Sequence, residues 1–115
     1  DYSIRSLNVL DSLIEDFADF ADLSDEEIID DFCIQAGSYI LEVARRSYGG
    51  VYFWEAHSQQ PVLKTGLPEF EISMMAFGKV KNRIVNGDAD NIPFFFKGYS
   101  ERVRNAKKGE VVVFV

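Results

Sequence analysis

The chain has 115 residues, 47% of them apolar and 14% aromatic, and a formal net charge of −7. That is one domain's worth of polypeptide, able to bury about 65% of its unfolded surface, which excludes a disordered, collagen-like or disulfide-scaffold chain. No run approaches the roughly 18 apolar residues of a membrane span, and residues 1–17 lack the basic-then-apolar order of a secretory signal, so a soluble, cytoplasmic protein is expected. The chain begins at Asp1 rather than Met, which is compatible with an upstream segment removed earlier. Cys33 is the only cysteine; it forms no intramolecular disulfide and fits a reducing compartment.

Over residues 4–21, Ile4, Leu7, Leu10, Ile14, Phe17 and Ala21 recur at helical spacing, with Leu13 and Phe20 widening the stripe. This predicts an amphipathic helix. Ser24 followed by Glu27 reads as a capping box, with Leu23 as a hydrophobic staple. A second helix is therefore predicted from about Asp25, stopping at Gly49 and Gly50. Gly37 inside it costs about 1 kcal/mol relative to Ala, which implies close packing of another element against its bare backbone. Residues 51–54 and 62–65 alternate as a hairpin around a polar turn at 57–61, and residues 69–72 as a third strand. A helix is predicted over 74–85, ended by Asn86-Gly87, and another after Asp90-Asn91 with Pro93 in its first turn. The run 111–115 is a strand whose unbroken apolar character implies burial on both faces, or a covered edge. The expected fold class is a single α+β domain: an N-terminal helical hairpin with a small, mainly antiparallel sheet and further C-terminal helices.

Charge is unevenly placed along this chain. Residues 1–35 hold eleven acids against one base, whereas residues 36–115 hold eight acids against eleven bases. Asp11/Glu15, Glu15/Asp19, Asp22/Glu26, Glu26/Asp30 and Glu27/Asp31 are i,i+4 pairs of like charge, each costing a few tenths of a kcal/mol in a helix. Such a surface repels free nucleic acid and attracts a basic protein. Asp11, Glu15, Asp19, Asp22, Glu26 and Asp30 are thus the candidate partner-binding acids. Tyr52 and Trp54 are candidate aromatic anchors, because consecutive aromatics cannot all face one core.

Other chemistry finds little support in the sequence. His57 is the only histidine, and Cys33 falls on an apolar helix stripe, so no zinc site is expected. Residues 22–31 lack the ligand pattern of a calcium loop, and no glycine-rich phosphate loop is present. No metal and no cofactor are expected. An alternative class, a small enzyme or ligand-binding domain, would draw on Glu42, Arg46, Trp54 and His57, and needs a buried Glu42 with a raised pKa. The basic residues Lys79, Lys81, Arg83, Lys97, Arg102, Arg104, Lys107 and Lys108, if gathered into one patch, would instead suit RNA.

The middle of the chain, Ala-Gly-Ser-Tyr-Ile-Leu-Glu-Val-Ala-Arg-Arg-Ser-Tyr-Gly-Gly over 36–50, is followed by Trp54, by Phe-Gly-Lys-Val-Lys-Asn-Arg over 77–83, by Asn86-Gly87, and by Asp90 to Phe95. It resembles small bacterial domains of unknown function with a GxYxGEVxRRxxGGxW helix-to-strand junction, over about residues 24–99. Leu41 departs from the small residue of that pattern, and the tryptophan is displaced by about two places. Such domains are similar in setting to immunity proteins of bacterial toxin systems. The resemblance implies a non-enzymatic inhibitor acting by protein contact, and carries over no catalytic residue. A phage-type inhibitor mimicking DNA is a further alternative, and the apolar terminal strand leaves a homodimer by edge pairing open.

Overall fold

The computed structural model describes all 115 residues. Helices α1 (Ser6–Phe20) and α2 (Glu26–Tyr48) lead into strands β1 (Val51–Glu55), β2 (Gln60–Thr65) and β3 (Glu71–Met74). Helix α3 (Phe77–Asn86), a 3-10 turn (Gly87–Asp90) and helix α4 (Ile92–Arg104) follow, and β4 (Val111–Phe114) ends the chain. The fold is α+β. No helix is long and apolar enough to cross a membrane.

Local chemistry sets most boundaries. Asp25, not Ser24, caps α2: its carboxylate accepts the N–H groups of Glu27 and Ile28, while the Ser24 hydroxyl donates to Asp22. Both are capping residue types, and the one whose backbone leaves helical geometry at the right place wins. Gly49, at φ +77°, ends α2 in the left-handed region that glycine adopts without strain. Asn91 caps α4 through Phe94 N–H, with Pro93 in the first turn as expected. The third strand and third helix start two or three residues later than the sequence pattern suggests, because Glu69 and Phe70 donate to Gly66 O in a turn and Met74 pairs with Leu63 in the sheet.

The strand order is β1-β2-β3-β4, antiparallel except for the parallel β3/β4 pair, whose connection runs through α3 and α4. Leu63, Ile72 and Met74 face a single core with Ile40, Val80, Ile92, Phe96 and Tyr99 from the helices. Strand β4 is an edge rather than a doubly buried strand. Val112 and Phe114 turn inward, while Val111, Val113 and Val115 are more than half exposed. Tyr99 is fully buried and its hydroxyl lies 2.8 Å from Thr65 Oγ1, which itself donates to Gly49 O. This chain of hydroxyls ties α4 to the α2–β1 junction, and burial pushes the Tyr99 phenol upward in pKa.

Helix α1 is held by charge as well as by its stripe. Arg83 of α3 is 3% exposed, and its guanidinium donates through Nε and Nη2 to the two carboxylate oxygens of Asp11 at 3.0 and 3.2 Å. Asp11 Oδ1 also accepts Ile92 N–H at the start of α4. Asp11 is therefore a structural ion, not part of a free acidic face, and Arg83 belongs to no basic patch. Leu13 and Phe20, expected in the core stripe, are exposed, Phe20 at 86%. Helix α1 makes its closest backbone approaches to α3 and α4 and meets α2 through side chains such as Phe17 on Phe32, so its buried face is narrower than its apolar content.

Gly37 has the close neighbour its position implies: a Cβ there would overlap the Phe77 ring and lie 3.2 Å from Phe77 N. The Gly37→Ala variant is expected to lose about 2 kcal/mol in chemical denaturation, against the gain that helix propensity alone would give. Removing the Arg83 counter-ion, as in Asp11→Ala, leaves a buried charge unpaired and is expected to cost about 3 kcal/mol. The neighbouring exposed Asp16→Ala is expected to stay within about 0.5 kcal/mol in the same measurement.

Candidate functional site

The largest concavity lies between α1 and α2. It is a groove of about 560 Å³ floored by Val9, Leu10 and Leu13 of α1 and by Phe32 and Ala36 of α2, with Ser3, Arg5 and Gln35 at its margin. The Phe17 and Phe32 rings stack at 3.9 Å between the two helices. Near the chain start, Tyr39 Oη donates to Ser6 Oγ at 2.7 Å and accepts Tyr2 N–H, the Tyr2 ring stacks on Tyr39, and the Arg46 guanidinium lies 4.2 Å above the Tyr2 ring. The groove was not foreseen from the sequence. Its signal was nonetheless there, since Val9, Leu13 and Phe20 give α1 more apolar positions than one buried stripe can absorb.

The groove itself is lined by only two charged residues, Asp1 and Arg5, but the other carboxylates of this helical layer are largely free. Of the candidate acids, Asp19, Asp22, Glu26 and Asp30 are exposed, and Glu15 is exposed with one oxygen 3.9 Å from Arg83. Asp16, Glu27 and Asp31 are exposed as well. Every ion pair that reaches residues 1–35 is made by Arg83; the others join acids and bases from residue 42 onward. Asp16, Asp19, Glu26, Glu27, Asp30 and Asp31 have no ion-pair partner. Lys81 of α3 borders the hollow formed by Leu23, Glu26, Ile29 and Asp30 without closing on either acid. Of the basic residues that an RNA-binding patch would draw on, Lys79 pairs with Asp90, Arg102 with Glu110, and Arg83 is buried.

Glu42 is not a proton donor in waiting. It accepts from Arg45 Nε and Nη2 at 2.8 and 2.7 Å, from Arg46 Nε at 3.0 Å and from Tyr52 Oη at 3.0 Å. These donors, Arg45 first, hold its pKa at about 2, opposite to the raised value an acid catalyst at this position needs. The Tyr52 phenol is pushed up to about 12, by burial first and by its bond to Glu42 second. Tyr52 is thereby partly spoken for, whereas Trp54 is 63% exposed on β1.

His57 sits in the exposed β1–β2 turn, where its backbone N–H donates to Glu55. The next turn residues, Ser58 and Gln59, line a hollow with Asp30, Cys33 and Ile34. That places the turn about 12 Å along α2 from Glu42, so the structure does not gather Glu42, Arg46, Trp54 and His57 into one pocket. Cys33 is buried, and desolvation pushes its thiol up. No cluster of three or more His, Cys, Asp or Glu side chains is arranged to hold a metal ion.

No protein-family model, curated protein or solved structure matches this chain. The Glu42 cluster nevertheless makes a defined contribution to the domain. Because the folded pKa of Glu42 lies below its ordinary 4.5, its stabilisation is present above that pH and is lost as pH falls toward 2. With both arginines partly in water, the contribution is about 1 kcal/mol. Glu42→Gln is expected to lose that amount at pH 7 and to converge on the wild type as pH falls through this window, read from paired denaturation curves.

Proposed function

We propose that this domain is a non-enzymatic protein-binding module, most concretely a bacterial, cytoplasmic immunity-type inhibitor that seats its acidic α1–α2 layer on the basic surface of a toxin domain. The observation that carries this reading is the juxtaposition of unpaired, exposed carboxylates with an apolar groove on the same two helices. Carboxylates alone would only be solvated; a groove alone would suit many ligands. Together they match a partner that brings basic side chains and an apolar anchor in one surface.

The physics of such an encounter is direct. A nuclease toxin needs a basic cleft to hold phosphate, and an acidic protein entering that cleft is steered by the same field. The exposed carboxylates Asp19, Asp22, Glu26 and Asp30, outside the groove on the same helical layer, set the association rate, and Trp54 on β1 offers a further anchor. Burial of an apolar side chain among Val9, Leu13 and Phe32 slows dissociation. The chain binds protein and makes no direct contact with nucleic acid in this scheme.

An affinity capture from the source cells at low and high salt tests it. A stoichiometric basic protein released at high salt is expected, and no protein at either salt overturns the reading. For the captured partner, combined reversal of Asp19, Glu26 and Asp30 to Lys is expected to slow association about tenfold or more. An unchanged on-rate and affinity would mean the acidic face is merely hydrated.

A further inference from the structure

We infer that the outer face of the sheet is a self-association surface, through which two copies of this chain pack sheet against sheet. Helices cover only one face of the sheet. Positions 63, 65, 72, 74, 112 and 114 turn toward them, so positions 51, 53, 62, 64, 73, 111 and 113 turn away. A solvated antiparallel face alternates apolar and polar residues. Here most outward positions of the edge strands are apolar: Val51 and Phe53 on β1, Val111 and Val113 on β4, with Val115 just beyond, each about half exposed or more, and only Glu55 at the far end of β1 is charged.

The face is already partly dry at its centre. Val62 and Ser73 are 6% and 3% exposed, although Val62 lies outside the main core cluster and no helix lies over this side. The Lys64 ammonium reaches over the Phe53 ring at 5.2 Å, and its stem runs along the same surface. Ser73 Oγ and Gln60 Oε1, both at outward positions, are buried without hydrogen-bond partners. Exposed apolar side chains on both edge strands of one sheet face form the kind of contiguous surface that marks an interaction site.

Charge selects the occupant. In a chain of net charge −7, this face carries the Lys64–Glu71 pair at 3.4 Å near its centre and Glu55 at the far end of β1, so it is nearly neutral beside residues 1–35 with their eleven acids and one base. It offers far less to a basic partner than the helical layer does. A two-fold axis through it apposes nearly neutral surfaces, permits Lys64 of each copy to meet an acid of the other, and leaves both acidic layers on the outside, far apart. Aligned sheets about 10 Å apart are the ordinary geometry for such faces.

Sedimentation of the full chain over a concentration series tests the inference. The wild type is expected to move from 13.1 kDa toward twice that mass, and Val51→Lys/Val113→Lys to weaken association by about a hundredfold. Val51→Thr/Val111→Thr/Val113→Thr keeps β-branched strand residues and guards against misfolding; it is expected to weaken association about tenfold or more. A wild type that stays at 13.1 kDa at 100 µM or above, or folded Thr variants that associate undiminished, overturns it. Amide exchange separates this from edge pairing: protection of the outward-pointing β1 or β4 edge amides upon association would also overturn it. The Asp19, Glu26 and Asp30 reversals leave self-association intact, so failure here and failure of the toxin-binding reading are distinguishable.

Discussion

A buried guanidinium must be answered by an anion, and in this domain Arg83 is answered by one carboxylate that does three jobs. Asp11 takes two N–H groups from Arg83 and a third from the backbone of Ile92, so α1, α3 and the start of α4 converge on a single side chain. Desolvating that pair is costly and only good geometry offsets it. That geometry ties α1 to α3 and α4, its closest backbone neighbours. Against α2 the first helix makes side-chain contacts near both of its ends, Phe17 on Phe32 and Ser6 with Tyr39, and the groove lies between those contacts.

What could be read from the sequence follows from the range of the interactions involved. Helix spans, the stop at Gly49, the Asn91 cap and the packing demand at Gly37 depend on neighbours within a turn or on a missing side chain, and local pattern carries them. The Glu42–Arg45–Arg46 group is implicit in i,i+3 and i,i+4 spacing; Tyr52 as its fourth member depends on how β1 folds back on α2. Asp11 read as one more surface acid because its partner stands 72 positions away. Leu13 and Phe20 read as core because helical periodicity names a stripe without saying how much of it a neighbour covers. The acidic skew of the first two helices is plain from counting, while the apolar groove between them depends on how they are spaced, which no local rule encodes. Likewise β4 was recognisable as a strand, but its parallel place beside β3 and its half-bare character are properties of the assembled sheet.

The two layers of the fold differ in electrostatic character as sharply as in secondary structure. The α1–α2 layer gathers unpaired carboxylates, and the sheet's outer face gathers valines around one neutralised pair. Such segregation costs something in each layer, as like-charge repulsion along the helices and as exposed apolar area on the strands. It also means that the two surfaces do not compete: occupation of one leaves the field and the solvation of the other almost unchanged.

Where the chain's two ends fall gives this arrangement a practical edge. The Asp1 side chain borders the groove, and Tyr2 is stacked beside it, whereas Val115 continues the outward valine series of β4. Anything fused to the amino end therefore stands at the mouth of the helical groove, and anything fused to the carboxyl end stands at the border of the sheet face. An epitope or fluorophore is in effect a steric probe whose reading depends on which end carries it, and a pair of oppositely labelled chains would report the occupancy of each layer separately.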